Sequence, residues 1–189
     1  MTVGDPRTFA IESSITTAYE QLSLRALGFF VIHVAGRCYG RRESDSTMLA
    51  CSYDEVKNRI TRRGTHIASF ATVADAGRIA SAVRETLYAP EPKPMYFEIP
   101  DDEFREIIYS RHILWAPDGD EAFDDGSYVL QFDAEDKVRI IAFKDGAAYG
   151  IDRYTLSDIW LSADRFYQVL QDWHSGFETE RRTMPQVRT

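Results

Sequence analysis

Between His112 and Asp136 the chain carries eight carboxylates and no lysine or arginine: Asp118, Asp120, Glu121, Asp124, Asp125, Asp133, Glu135 and Asp136. Carboxylates at that density hold a divalent cation, meet a basic surface, or face only water and counter-ions. Their mutual repulsion costs stability unless something binds them. The metal option has a literal template. Pro117-Asp118 is followed, seventeen positions after the aspartate, by Glu135-Asp136-Lys137. That is the PD…(D/E)xK spacing, in which acids bind Mg²⁺ and a lysine orients the water that attacks a phosphodiester. Asp118, Glu135 and Lys137 are the catalytic set of this alternative, a metal-dependent nuclease. Its context is poor. The ExK must lie on a strand with both side chains on one face, and here it falls in a polar run between two apolar ones. A negative field with no basic groove also repels nucleic acid.

Other chemistries fit less well. Asp118-Gly-Asp120 matches the bare D-x-D of metal-dependent glycosyltransferases, but 189 residues lack the nucleotide-binding βαβ units such a site needs. Counted as a calcium loop from Asp118, position six is Phe123 where glycine is required and position twelve is Val129 where a glutamate should close the site. Opportunistic divalent binding stays open. His33, His66, His112 and His174 show neither HExxH nor a three-histidine spacing. His33 lies in an apolar run and reads as a satisfied sheet residue. There is no G-x-S-x-G elbow and no glycine-rich phosphate loop. No catalytic residue, metal or cofactor is assigned.

Trp115, Phe123 and Tyr128 interleave with the acids. In one reading they anchor the loop to the core. In the other, one of them is exposed inside an acidic rim, the composition of a protein-binding hot spot aimed at a basic partner. The candidate partner-binding set is Trp115, Asp118, Asp120, Glu121, Phe123, Asp124 and Asp125.

The elements that must position this loop read as follows. Thr8 to Ile15 predicts a short strand, and Thr16 to Ala26 a helix with Tyr19, Leu22 and Ala26 on one face. Phe29 to Val34 predicts a strand that turns through Ala35-Gly36-Arg37 into a hairpin. Thr47 to Cys51 reads as a third strand. Ser52 with Glu55 forms a capping box opening a helix that ends at Gly64. A second helix spans Ala74 to Tyr88, before the stiff Pro90 to Pro94 connection, and Pro100 opens a third with acids in its first turn. Ser127 to Phe132 and Val138 to Phe143 predict strands joined by a polar turn from Asp133 to Lys137, with a third short strand after Gly146. Ser162 caps a long last helix with Phe166, Val169, Leu170, Trp173 and Phe177 inward, and the tail from Thr183 to Thr189 is expected to fray. The class is α+β, one domain over 1–189, with a largely antiparallel sheet and four to five helices.

A net charge of -8 and a pI near 5.0 argue against nucleic acid or an anionic membrane as partner. The arginine pairs at 41–42, 62–63 and 181–182 read as solvated ends of elements. Met1 to Arg7 has no apolar stretch of the signal-peptide kind, so the expected location is cytoplasmic, with Cys38 and Cys51 reduced. The sequence leaves the oligomeric state open.

Taken over nearly its whole length, the chain resembles immunity protein family 42, antidotes of bacterial polymorphic toxin systems. The likeness rests on Phe9 to Ser13, on Leu27 to Gly40, on Met48 to Ser52 with the helix that follows, and on Trp115 to Asp133. The resemblance implies a non-enzymatic α+β protein that binds and neutralises a cognate toxin domain, with no catalytic residues to carry over. A toxin with a basic active surface would meet an acidic, aromatic-studded loop.

Overall fold

Alternation in the first third of the chain builds one curved sheet with one apolar face. The structure, a computed structural model, describes residues 1–115 and 121–188. Strands β1 (Thr2–Gly4), β2 (Phe9–Tyr19), β3 (Ala26–Val34) and β4 (Arg37–Tyr39) lie in that order, all antiparallel, and β5 (Thr47–Met48) pairs with β3. Phe9, Ile11, Ile15, Phe30, Ile32 and Val34 enter the core, while Glu12 and His33 point to the opposite face. The β3–β4 turn is the expected hairpin. Ala35 and Gly36 adopt φ of 52° and 79°, as a two-residue turn with this twist requires.

The helix expected over Thr16 to Ala26 is absent. Strand β2 runs on to Tyr19, pairing Thr17 with Leu27 and Ala18 with Ala26 across a register shift after Ile15. The β-branched run Ile15-Thr16-Thr17 favours extended backbone, and β3 supplies the partner that completes it. Leu22, meant for the helical stripe, is exposed.

The third strand is cut short as well. Helix α1 (Leu49–Thr61) starts three residues before the expected cap, with Met48 at its N-cap and no side-chain cap bond. Ser52 is inside the helix and faces inward with Leu49, Tyr53 and Val56. Its stripe position outcompetes the capping pattern.

Helix α2 (Ala76–Tyr88) is capped by Asp75, which accepts from the Arg78 amide. The short hairpin β6 (Met95–Tyr96) and β7 (Ile99–Pro100) leads into α3 (Asp101–Ser110), whose first turn carries Asp101, Asp102 and Glu103. The second sheet is a meander of β8 (Ser127–Ala134), β9 (Lys137–Asp145) and β10 (Ile151–Ser162). Its first turn is tighter than expected, because Ala134 pairs with Lys137 and only Glu135 and Asp136 remain outside the ladder. Strand β10, expected to be short, has 12 residues.

Ser162 caps α4 (Ala163–Thr183) as the sequence predicts, and Phe166, Val169, Leu170, Trp173 and Phe177 are buried. Gln186 and Val187 form β11, parallel to the end of β2, and Arg188 pairs with Glu20 at 3.0 Å. Arg181, expected to be solvated, is buried and donates to the Tyr19 and Arg25 carbonyls.

The second sheet is the wall between two cores. Val129, Val138, Ile140 and Ala142 pack with the first sheet, α1 and α4; Leu130, Phe132, Ile141 and Phe143 pack with α2 and α3. At the junction lies a buried polar network. Arg59 of α1 donates to Gln131 Oε1 at 2.9 Å and to the Leu114 carbonyl at 2.7 Å. Its Nε forms an ion pair with the Glu55 carboxylate at 2.8 Å. Gln131 donates to Tyr167, and Tyr167 donates to Asp133 at 2.9 Å. Asp133 also accepts from the amides of Gly64 and His66. Burial pulls the Arg59 guanidinium below its ordinary range, opposed by the Glu55 carboxylate. It likewise holds His66 down and, with Asp133 beside it, pushes the Tyr167 phenol well up.

Removing one member strands the others without water. Tyr167→Phe is expected to lose about 1–3 kcal/mol of unfolding free energy. Arg59→Met is expected to lose about 3 kcal/mol or more, since it leaves buried polar partners unpaired. Urea unfolding checks both: the midpoint should fall with the m-value unchanged.

Candidate functional site

The acidic segment springs from the core at Trp115. The Trp115 amide donates to the Val129 carbonyl at 2.7 Å, and Leu114 bridges Leu130, so residues 113–115 run along the edge of β8. The Arg59 guanidinium stacks over the indole at 4.4 Å, and the rings of Phe9 and Phe166 approach from the core. Trp115 is 1% exposed. Asp118 and Asp120 of the candidate set lie outside the described residues.

The chain returns as a short 3-10 turn, Glu121–Phe123. Phe123 is 8% exposed and meets the edge of Phe30 at 6.3 Å. Tyr128 is half-buried, stacked on Phe143 at 5.1 Å. The anchoring reading of Trp115, Phe123 and Tyr128 therefore describes their placement, and the expectation of an aromatic exposed inside the acidic rim is corrected. The physical reason is local: both ends of the loop sit on strand edges whose apolar faces need covering.

The returning half is also stapled to the first sheet. The Arg41 amide donates to the Ala122 carbonyl at 2.7 Å, and the Gly40 amide to Ser127 Oγ at 3.1 Å. Gly40 holds φ of 111°, and a Cβ there would stand 3.0 Å from the Ala122 carbonyl oxygen. Only glycine fits that approach.

The acids then divide. Asp125 accepts from the Ser127 amide and pairs with Lys144 at 2.5 Å, so its charge is spent within the fold. Glu121 and Asp124 are exposed and make no ion pair with a described residue. Beside them lies the outer face of the first sheet. Glu12 receives His33 at 2.9 Å and Arg42 at 2.6 Å there, and Cys38 lies half-buried alongside. Burial pushes the Glu12 carboxyl up, but the hydrogen bonds from His33 and Arg42 outweigh it and leave it below the ordinary range. The reading of His33 as a satisfied sheet residue fits this placement.

Of the alternative catalytic set, Asp118 lies outside the described residues, and Glu135 and Lys137 are not on one strand. Glu135 sits in the β8–β9 turn at φ of 55°, and Lys137 opens β9, so the two do not share a strand face. Both line a hollow of about 130 Å³ floored by Asp133 and Tyr167, groups already committed to the buried network. No cluster of three His, Cys, Asp or Glu among the described residues could hold a metal ion. The residue that sequence reasoning missed is Arg59, which fixes the root of the loop. Its signal was available, because it falls on the inward stripe of α1 three positions after Val56.

A family model described as immunity protein 42 matches residues 1–176. No curated protein matches the chain. Among solved structures, the fold is similar to that of CdiI from Burkholderia dolosa, with a TM-score of 0.56 at 14% identity, over 93% of this chain and 99% of that one. At that identity the likeness is one of fold.

Two measurements follow from the geometry. Phe123→Ala is expected to destabilise the protein by about 3 kcal/mol or more, since it opens a cavity in the first core; thermal and urea unfolding read it. Glu12 has a depressed folded pKa, so its contribution is present above the ordinary glutamate value of 4.5 and lost as pH falls through the lower folded value. The stability gap between the wild type and Glu12→Gln should accordingly be largest near neutrality and close on acidification. A gap that widens as pH falls would contradict the assignment.

Proposed function

The chain belongs to the immunity protein 42 family, with the toxin-neutralising immunity function that membership carries, and we propose that it acts by occlusion, laying the acidic loop against a basic surface of its cognate toxin domain without catalysis of its own. One observation carries this reading. Glu121 and Asp124 are exposed and unpaired with any described residue, on a turn tied to Arg41 and Gly40 through the Ala122 carbonyl and the Ser127 hydroxyl. Unspent like charges on a rigid turn cost the free protein stability and are relieved by an opposing cationic surface.

The chemistry of such a partner follows. A protein that acts on a polyanion concentrates positive charge at its active surface, and a negative lid both steers encounter and fills that surface. With Trp115 and Phe123 buried, apolar contact would come from the neighbouring outer face of the first sheet, where Phe29 is half-buried. A cytoplasmic setting with reduced thiols belongs to the same reading: Cys38 and Cys51 form no disulfide with a described residue, and burial pushes the Cys38 thiol up, away from reactivity. No helix among the described residues is long and apolar enough to cross a membrane.

The decisive experiment is co-expression with the toxin encoded beside this chain. Rescue of growth with recovery of a stable complex is expected; no rescue and no complex would sink the proposal. Stopped-flow association then tests the loop. The Glu121→Gln, Asp124→Asn double variant should bind about tenfold more slowly at low ionic strength, with a flatter salt dependence and a little-changed dissociation rate. An unchanged association rate would move the interface off this loop.

A further inference from the structure

We propose that the bulge at Arg153 and Tyr154, with the trough beside it along α2, is a second docking face that takes an acidic segment of the toxin. The inference rests on the immunity reading for the partner's identity but not on the acidic loop.

The bulge is built, not slack. In β10, Asp152 pairs with Lys144 and Ser157 with Ala142, so residues 153–156 are thrown out of the ladder opposite a single residue of β9. The Asp152 carboxylate accepts from the Tyr154 amide at 3.0 Å. The Thr155 hydroxyl donates to the Asp152 carbonyl and accepts from the Lys144 amide at 2.8 Å. Tyr39 and Arg37 of the first sheet donate to the Thr155 and Leu156 carbonyls. At the tip of this braced loop Tyr154 is 92% exposed. A tyrosine fixed in open solvent contributes little to folding, but it is a low-entropy anchor for a partner.

Beside the bulge runs a trough in two parts that share Ser81 and Glu85 of α2 as a wall. One part, of about 260 Å³, is lined by Arg78, Arg153, Lys93 and Met95. The other, of about 430 Å³, reaches Pro90 and Tyr149. Met95 is 54% and Tyr149 52% exposed. Lys93 is spent on Glu85 at 2.9 Å, whereas Arg78 and Arg153 form no ion pair with a described residue. The one acid at the start of α2, Asp75, is turned to cap the helix through the Arg78 amide. Two guanidiniums without a carboxylate partner among the described residues, Arg78 lying over the Phe97 ring at 5.6 Å, are framed by exposed Tyr and Met on a chain of net charge -8, and complement a segment that pairs carboxylates with apolar side chains. A nucleic acid fits worse. Its phosphates need a run of cations, and here only Arg78 and Arg153 lack a carboxylate partner among the described residues, Lys93 being paired with Glu85.

Photo-crosslinking in the co-expressed complex tests this. Tyr154→p-benzoylphenylalanine should capture the toxin through an acidic peptide identified by mass spectrometry, while Asp124→p-benzoylphenylalanine in the loop reports the first face separately. Tyr154→Ser, at a site too exposed to affect folding, should weaken toxin binding about tenfold or more. The Arg78→Glu, Arg153→Glu pair should do the same, with rescue by Arg→Lys at both positions. Capture at position 124 but not 154, or wild-type affinity in both the Ser and the Glu variants, overturns the second face and leaves the immunity reading standing. So does capture of nucleic acid, or of another copy of this chain, at position 154. No complex and no growth rescue would overturn both readings together.

Discussion

A buried guanidinium at the junction of the two cores ties the molecule together. Arg59 reaches from α1 to the second sheet through Gln131, to the loop root through the Leu114 carbonyl, and onto the indole of Trp115. Through Gln131 it is linked to Tyr167 of α4 and to Asp133, which in turn receives the amides that follow α1. Both helices of the first core, the middle of β8 and the root of the acidic segment thus depend on one satisfied network. A charge carried that far from water is costly, and it is tolerated because nearly every partner atom is in place. Such a network favours one arrangement over the many that an all-apolar junction would accept.

That rigidity has a functional consequence. The protein makes its interior from apolar strands and spends several of its charges in pairs such as Arg42 with Glu12, the buried Arg139 with Asp158 and Lys144 with Asp125. Among the exposed charges that form no ion pair with a described residue, Glu121 and Asp124 lie on a turn tied to the chain that follows β4, and Arg153 lies on a bulge tied to β9 and the first sheet. Pre-organised surface of this kind loses little conformational entropy when a partner docks. The two proposed faces differ in the sign of their unpaired charges, so a partner with one basic and one acidic region would meet them in only one orientation. Specificity between related partners can be set by that pairing, because a charge mismatch at either face is penalised.

The open face of the first sheet lies between covered and exposed regimes. Its apolar side is sealed by α1 and α4, and its other side is furnished with Glu12, His33 and Arg42, side chains that satisfy one another. An antiparallel sheet can face water on one side in this way without inviting edge pairing. Strand β11 and the 113–115 segment cover the β2 and β8 edges that would otherwise be free.

The sequence by itself determined whatever depends on local periodicity and local caps. The long α4 stripe with Ser162 at its head, the α2 helix, the Ala35-Gly36 hairpin and the β8–β9 pair were all legible, since each is fixed by residues a few positions apart. The α+β class and the family resemblance were legible too, and so was the concentration of acids. Only the tertiary structure decided what depends on distant partners. Thr16 to Tyr19 became strand because β3 was there to pair with it, Ser52 was drawn into the core by its stripe, and Gln186 and Val187 were recruited to β2. The same holds at the candidate site. The sequence could count the acids but could not separate Asp125, spent on Lys144, from Glu121 and Asp124, left exposed. Nor could it tell that Trp115 and Phe123 face inward. Exposure is a property of what packs against a side chain, and those neighbours, Arg59, Phe9, Phe30 and Phe166, lie dozens of residues away in the chain.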